Sequence, residues 1–590
     1  MSIAEKYRHA LISTLGRLLA ALILVCCSFA LYAAPTVEVH IEGVEGELLT
    51  NVQRLLSIEQ QRDHPLLSAR RIRRLHQKAD QEIRTALETY GYYRVKIDKQ
   101  LQQLSEEHWR ADYRIHLGKP LRLERVYVEL RGEGRDVPEL KKLFDNFPLR
   151  PGDVLNQVQY ESAKSEIIQA ATELGFFEQR FIRHDININL HKYRADIDLV
   201  FDSGPRYHFG QINLEQDALN EDFLRRFIPF SSGDPYSVTE LIDLQQTLAN
   251  SDYFHDIDIE PDLSGNRNLS VPVDVKLTPR KRHKFTFGLG YGTDTQARGK
   301  IGWAMPRVNR LGHRFDSEIK ASGISKSIST NYHVPIGDPT SEEVAFNASV
   351  VDTYTDTSDS LVRNIGASLV QTPGAWRRVI SINYQNERYT IADLPGTSIL
   401  LIPGINLSRV WADDLADVNK GLRIQLGLRG AGKKLISDTN FSQGTVAAKL
   451  IYSVIGDNRI ILRGNAGSTW TRQFNQLPAS VRFFAGGSQS VRGFRYQSLG
   501  PKNDQGQVIG GQHLLVGSAE LEHRLNQDWS VAVFYDEGNA INNMNDPLEF
   551  GAGFGLRWKT PIGPVRIDEA TALSRPGHPW RFHINIGPDL

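Results

Sequence analysis

The sequence predicts an α+β region of three β-α-α-β-β modules followed by a transmembrane antiparallel β-barrel of about 16 strands. Three observations predict it. A strand–helix–helix–strand–strand pattern recurs at roughly 80-residue spacing between residues 36 and 280. Glycine then becomes dense, with 35 of the 48 glycines falling after residue 285. From that point the chain reads as short segments of strict apolar–polar alternation, the period of a strand with two different environments on its faces.

The chain opens on a segment that belongs to neither region. MSIAEKYRHALISTLGR carries basic residues, LLAALILVCCSFALY is apolar, and Ala33-Ala34-Pro35 follows. That order is a secretory signal, and it sets residues 1–34 apart from the fold. An N-terminal helical anchor and a lipoprotein modified at Cys26 or Cys27 are the rival readings. Both cysteines lie in this segment, so the exported chain has no disulfide and must be held by a large core or a closed sheet. The 69 Lys and Arg residues balance 69 Asp and Glu residues, for a formal net charge of +0. That balance excludes the basic excess of a nucleic-acid binder.

Each module opens with a strand-like run: TVEVHIEGV (36–44), LRLERVYVEL (121–130) and HFGQINLE (208–215). Helical patterns follow. In the first module Ile72, Leu75, Ile83 and Leu87 fall near helical spacing within SARRIRRLHQKADQEIRTALETY. The second helix of each module ends at a turn residue and aromatics: Gly91-Tyr92-Tyr93, Gly175-Phe176-Phe177 and Asp252-Tyr253-Phe254. Glycine after a helix permits the left-handed closing turn, and the aromatics start the next strand. Two strands complete a module, as RVKIDKQL and WRADYRIHL do in the first, and FHDIDIEP and SVPVDVKLT in the third. Three copies of this order resemble POTRA domains, with expected bounds of 35–119, 120–205 and 206–280.

The barrel reading covers residues 281–590. In WRFHINIG (580–587), Trp580, Phe582, Ile584 and Ile586 alternate with Arg581, His583, Asn585 and Gly587. Phe285, Phe287, Leu289 and Tyr291 alternate with Thr286 and three glycines. Leu422, Ile424, Leu426 and Leu428 alternate with Arg423, Gln425, Gly427 and Arg429. Arginine behind a leucine face suits a polar lumen and a lipid exterior. It suits a β-sandwich core badly, because a buried unpaired guanidinium is costly. Strands in lipid must pair every backbone group, so the sheet must close.

Catalytic signatures fail. GLRGAGKK (427–434) lacks the Ser or Thr of a P-loop and overlaps an alternating strand. GLGYG (288–292) and GAGFG (551–555) place every glycine on one strand face, which suits close contact inside the lumen. There is no H-E-x-x-H or G-x-S-x-G, and the histidines lack metal-ligand spacing. No catalytic residue, metal or cofactor is expected.

GGSQSVRGFRYQSLGP (486–501) has the composition of a loop between barrel strands. Its Val491-Arg492-Gly493-Phe494, behind POTRA-like modules, resembles the Omp85 superfamily of outer-membrane assembly proteins. TPIGPVRIDEA (560–570) and the terminal GPDL add to the likeness. The resemblance implies that this loop folds into the lumen and that Arg492 docks on an acidic residue of the wall. The matching segment is VAVFYDEGNA (531–540), where Asp536 shares a face with Ala532 and Phe534 and Gly538 follows. A carboxylate fits the planar guanidinium fork, and Gly493 allows close backbone approach.

Three modules with no additional N-terminal one are most similar to the TamA branch of that superfamily. BamA-like members generally carry five and two-partner secretion transporters two. The resemblance implies a non-enzymatic insertase or translocase in the Gram-negative outer membrane, with its POTRA domains in the periplasm. Its clients would be outer-membrane β-barrel proteins such as autotransporters, and a TamB-like periplasm-spanning partner would dock on the POTRA sheets. The first barrel strand, with Phe285, Phe287 and Gly290, must meet the last, with Asn585, Gly587 and Pro588, at a seam. Gly587 and Pro588 weaken pairing there, and Gly290 is expected opposite Asn585. A seam that opens sideways would pass client strands into lipid. The alternatives are an open secretion pore for one dedicated substrate and a component of a lipid-transport bridge.

Overall fold

The computed structural model describes residues 35–264, 268–414, 418–454, 456–560 and 563–586. The signal-like segment 1–34 and the terminal Gly587 and Pro588 lie outside the described residues. The contacts divide the chain into two compact units. One runs to Gly210 and adds Ser232–Thr239 and Leu263–Val271; the other holds Gln211–Ser231, Glu240–Asp262 and everything from Pro272.

The first module comprises β1 (Thr36–Glu42), α1 (Gly46–Leu55), α2 (Ser57–Gln60), α3 (Ala69–Glu88), β2 (Lys96–Gln103) and β3 (His108–His116). Its sheet has the order β1-β3-β2, with β1 parallel and β2 antiparallel to β3. The expected helical stripe of α3 is the buried one: Ile72, Leu75, Ile83 and Leu87, joined by Ala79 and Ala86. They pack on Trp109, Ala111, Tyr113 and Ile115 from one face of β3. Ser68 caps the helix, accepting the Arg71 amide N–H at 3.4 Å.

The second module repeats this plan with β4 (Arg122–Arg131), α4 (Pro138–Asp145), α5 (Gln157–Glu173), β5 (Arg180–Asn189) and β6 (Arg194–Asp202), in sheet order β4-β6-β5. The third has β7 (His208–Glu215), α6 (Glu221–Arg225), α7 (Val238–Asn250), β8 (Phe254–Pro261) and β9 (Ser270–Pro279), in order β7-β9-β8. The expected closing turns are left-handed in all three, with φ of 82° at Gly91, 86° at Gly175 and 62° at Asp252. Aspartate is among the few side chains that tolerate this region, which explains how the third module keeps the turn without glycine.

Sixteen strands among the described residues then form a closed antiparallel barrel. They are β10 (Lys284–Gly292), β11 (Gln296–Met305), β12 (Arg314–Ala321), β13 (Ser325–Pro335), β14 (Glu342–Tyr354), β15 (Ser358–Gln371), β16 (Arg377–Ile391), β17 (Leu394–Ala412), β18 (Lys420–Ala431), β19 (Phe441–Ser453), β20 (Asn458–Trp470), β21 (His513–Arg524), β22 (Trp529–Ile541), β23 (Glu549–Thr560), β24 (Gly563–Ala572) and β25 (Trp580–Ile586). The outer face is apolar: Phe287 is 77% exposed and Leu289 is 88% exposed. The inner face carries buried charge, including Glu387, Glu520, Glu522, Asp536 and Asp568. Apolar surface outside and ions inside is the inverse of a water-soluble sandwich and the pattern of a barrel in lipid. The turn between β11 and β12 meets the third module. The Asn220 amide N–H donates to the Arg310 carbonyl at 2.7 Å, and the Tyr253 hydroxyl donates to the Gly312 carbonyl at 2.5 Å.

Candidate functional site

The long connection between β20 and β21, residues 471–512, enters the lumen. Val491 is fully buried, Arg492 is 2% exposed and Phe494 is also buried. Val491 and Phe494 form an apolar cluster with Ala485, Leu499, Val516 and Ala572. Gly493 has φ of 92°, and a Cβ there would stand 2.9 Å from the Thr571 carbonyl carbon. Both facts require glycine. Its amide N–H donates to His583 Nε2 at 3.0 Å.

Arg492 and Asp536 are brought together as a fork. Arg492 Nε donates to Asp536 Oδ2 at 2.7 Å, and Nη2 donates to Oδ1 at 2.8 Å. The Arg492 amide N–H adds a third bond to Oδ2 at 3.0 Å. The guanidinium carbon lies 3.3 Å from the Phe534 ring centroid, a cation–π contact. Ala532, Phe534 and Asp536 share the lumenal face of β22, as their alternation requires.

Sequence reasoning missed the rest of the charge cluster. Arg492 Nη1 reaches Glu520 Oε2 at 2.8 Å and Asp568 Oδ2 at 3.6 Å. Arg557 joins the same two carboxylates, at 2.9 Å from Glu520 and 2.5 Å from Asp568. Two guanidiniums and three carboxylates therefore interlock across β21 to β24. Ser518, Glu520 and Glu522 alternate with apolar residues in HLLVGSAELEHR, so the signal was present in the sequence. The glycines of GAGFG do serve close contact: a Cβ at Gly551 would stand 2.0 Å from the Arg492 carbonyl oxygen. Gly538 pairs with Val516, where a Cβ would stand 2.5 Å from the Leu515 carbonyl oxygen.

The first part of the same loop has a second anchor on the other side of the lumen. Glu387 on β16 is fully buried. It accepts the Ser480 amide N–H at 3.2 Å, the Ser480 hydroxyl, the Ser360 hydroxyl at 2.8 Å and the Gln385 amide at 3.0 Å. Arg429 donates to the Ser480 carbonyl at 3.1 Å, and Gln443 donates to the Val481 carbonyl at 2.8 Å. Leu477 and Val481 pack on Leu400, Ile402 and Phe441.

The seam differs from the expected register. Tyr291 pairs with Ile586 and Gly292 with Asn585. Gly290 does not stand opposite Asn585; it is offset by two residues, and its ladder partner on β11 is Arg298. Apolar–polar alternation repeats every two residues, so it fixes a strand's face and leaves a two-residue shift open. Side chains fix the shift: Arg298 donates to Asn585 Oδ1 at 2.9 Å, and the Ile584 amide N–H donates to Thr293 Oγ1 at 2.6 Å. Phe285 and Phe287 pair with Trp303 and Ile301 of β11 and are exposed on the outer face.

Among the described residues the seam has two register pairs. Every other junction has between seven, as at β11–β12, and fifteen, as at β16–β17. The loop touches both sides of it. The Ser488 amide N–H donates to Asp294 Oδ2, just after β10, at 2.6 Å, while Gly493 bonds His583 on β25.

Comparisons with known proteins agree with this geometry. The Omp85 superfamily domain matches residues 281–589, POTRA domain TamA domain 1 matches 38–117, and a POTRA model described as a surface antigen variable number repeat matches 207–280. The outer membrane protein assembly factor BamA of Nitratidesulfovibrio vulgaris is 22% identical over 419 residues, covering 66% of this chain and 52% of that protein. BamA of Neorickettsia risticii is 22% identical over 412 residues, covering 64% and 54%. The chain thus spans about half the length of the curated relatives it matches. Among solved structures, BamA from Haemophilus ducreyi lacking POTRA domains 1–3 superposes with a TM-score of 0.66 at 16% identity, covering 79% of this chain and 99% of that one. With its closed barrel, its POTRA modules and a family match over more than half its length, the chain belongs to the Omp85 superfamily and is an outer-membrane protein.

Proposed function

We propose that the protein assists the insertion or secretion of outer-membrane proteins by opening the barrel between β10 and β25. The observation that carries this reading is the seam: two residue pairs among the described residues, clasped from inside by a loop that bonds Asp294 on one side and His583 on the other. Each lost pair gives up backbone hydrogen bonds that lipid cannot replace, so among the described residues this two-pair ladder is the junction that costs least to open. Strands of a client would pair with the freed edges and leave sideways into the bilayer. The free energy comes from client folding, with no catalytic step.

The outer strands of each POTRA sheet offer edges for strand addition by a periplasmic partner. The TamA-type match over 38–117 supports a TamB-like elongated protein in that role. The test joins the seam covalently through Gly292→Cys with Asn585→Cys, the residues that face each other. Oxidation should stop assembly of an outer-membrane client while the barrel keeps its folded gel mobility, and reductant should restore it. Full client assembly with the cross-link complete would refute lateral opening.

A further inference from the structure

A second site lies on the lipid face of the barrel. Leu400 and Ile402 of β17 pack inside the lumen on the loop, so the alternate residues Leu407, Arg409 and Trp411 face lipid. Leu407 pairs with Arg378 of β16, which puts Arg378 on the lipid face too, in line with the exposed Ile380 and Ile382. Both arginines stand at the end of the barrel that the third module touches. The chain direction alternates, so the turns before β16 and after β17 lie at the same end as the β11–β12 turn that Asn220 touches.

An arginine facing lipid is costly unless its head reaches the interface. Here it is held in place by indoles. The Arg409 guanidinium carbon lies 4.0 Å from the Trp411 ring centroid and 5.9 Å from that of Trp376, and the two rings sit 6.1 Å apart at 81°. Tryptophan collects at the headgroup level of a bilayer. Stacking on an indole occupies the face of a guanidinium and leaves its edge, with the N–H groups, for an acceptor. Arg409 Nε and Arg378 Nε are both shielded from water and lack an acceptor among the described residues. Among the described residues Arg378 bonds the Gln371 side chain through Nη2. Neither arginine forms an ion pair among the described residues.

We propose that Arg378 and Arg409 bind the phosphate of an anionic glycerophospholipid in the periplasm-facing leaflet, with Trp376 and Trp411 packing on its glycerol region. Diagonal neighbours on paired strands are about 7–8 Å apart at Cα, a span that long arginine side chains close on one phosphate. The position adds a reason for a fixed lipid. β17 is seven strands from β10 and eight from β25, so the bound lipid holds the wall directly across from the seam.

The test is native mass spectrometry of the full chain in detergent, titrated with phosphatidylglycerol and, separately, with a neutral glycolipid of the same acyl chains. The wild type should retain phosphatidylglycerol in preference to glycolipid. Arg378→Gln with Arg409→Gln should weaken phosphatidylglycerol binding at least about tenfold, the loss expected for two charge-assisted contacts. Heat-modifiable gel mobility shows whether that variant folds. Equal retention of the two lipids by the wild type overturns the proposal, and so does a folded double variant that binds phosphatidylglycerol as tightly as the wild type. Should the double variant not fold, the wild-type comparison alone decides. A third arm adds soluble glycerol phosphate in excess: failure to displace the lipid assigns the site to membrane lipid, whereas full displacement marks a free-phosphate site and overturns the lipid assignment.

Discussion

Replacing Arg492 with alanine should release the loop far more readily than replacing Asp536 with alanine, although the two side chains bond each other. The asymmetry follows from the charge count. Arg492 and Arg557 share Asp536, Glu520 and Asp568. Arg492→Ala leaves one guanidinium among three carboxylates, with Asp536 fully buried. Removing one partner of a buried pair costs about 3–5 kcal/mol. Asp536→Ala leaves two guanidiniums with two carboxylates, and Arg492 keeps Glu520 at 2.8 Å and Asp568 at 3.6 Å. That loss is closer to about 1.5–3 kcal/mol, the range for hydrogen bonds to a charged group. A gap of about 2 kcal/mol is about 30-fold in the opening equilibrium. The readout is maleimide labelling of a Val491→Cys thiol, because Val491 is fully buried when the loop is docked. Labelling should accelerate by a factor of hundreds or more with Arg492→Ala and much less with Asp536→Ala. Equal rates in the two backgrounds would refute the charge argument.

Gly551→Ala should also unseat the loop, because its Cβ would meet the Arg492 carbonyl oxygen at 2.0 Å; overpacking of about 1–3 kcal/mol should show as faster thiol labelling with an intact barrel. Glu387→Ala should free the other end of the loop, and trypsin should then cut after Arg482, whose guanidinium is held by the carbonyls of Leu477, Asn475 and Ile509. The first module should lose stability on acidification. Burial, and secondarily Lys99, lowers the His76 pKa below 6.5, so the unfolded chain takes up the proton first; stability is complete above pH 6.5 and falls as the pH drops below it. Hydrogen exchange of residues 69–88 at pH 5 and 7.5 should show this, and His76→Gln should flatten the difference.

The fold was largely legible because two periods carry it. Ile72, Leu75, Ile83 and Leu87 mark the buried side of α3, and the alternation in WRFHINIG and GAGFGLRW marks lipid against lumen. The Arg492–Asp536 fork was legible only through the family resemblance that the short motif carries, which pointed to one acidic residue on the correct strand face. Glu520, Asp568 and Arg557 were visible as inward positions, yet nothing local says that they converge on Arg492. The Glu387–Ser480 anchor joins residues 93 positions apart in the chain. It depends on where a non-repetitive loop lies in the lumen, which no periodicity encodes. The seam register was missed for a related reason: Gly290 and Gly292 are equivalent to any two-residue pattern, and the long-range bonds of Thr293 and Arg298 choose between them.

The loop fastened at both ends acts as a tie rod across a thin-walled tube. Between Ser480 at the Glu387 end and Arg492 at the Asp536 end, eleven residues of fixed contour span the bore. A tube braced along one diameter resists becoming oval, and parting its wall at one generatrix requires that deformation. Strain imposed where β10 meets β25 is therefore felt at β15 and β16, five and six strands from β10 around the wall. Slackening the rod at that remote end should change how fast the wall parts without altering a single bond at the parting line.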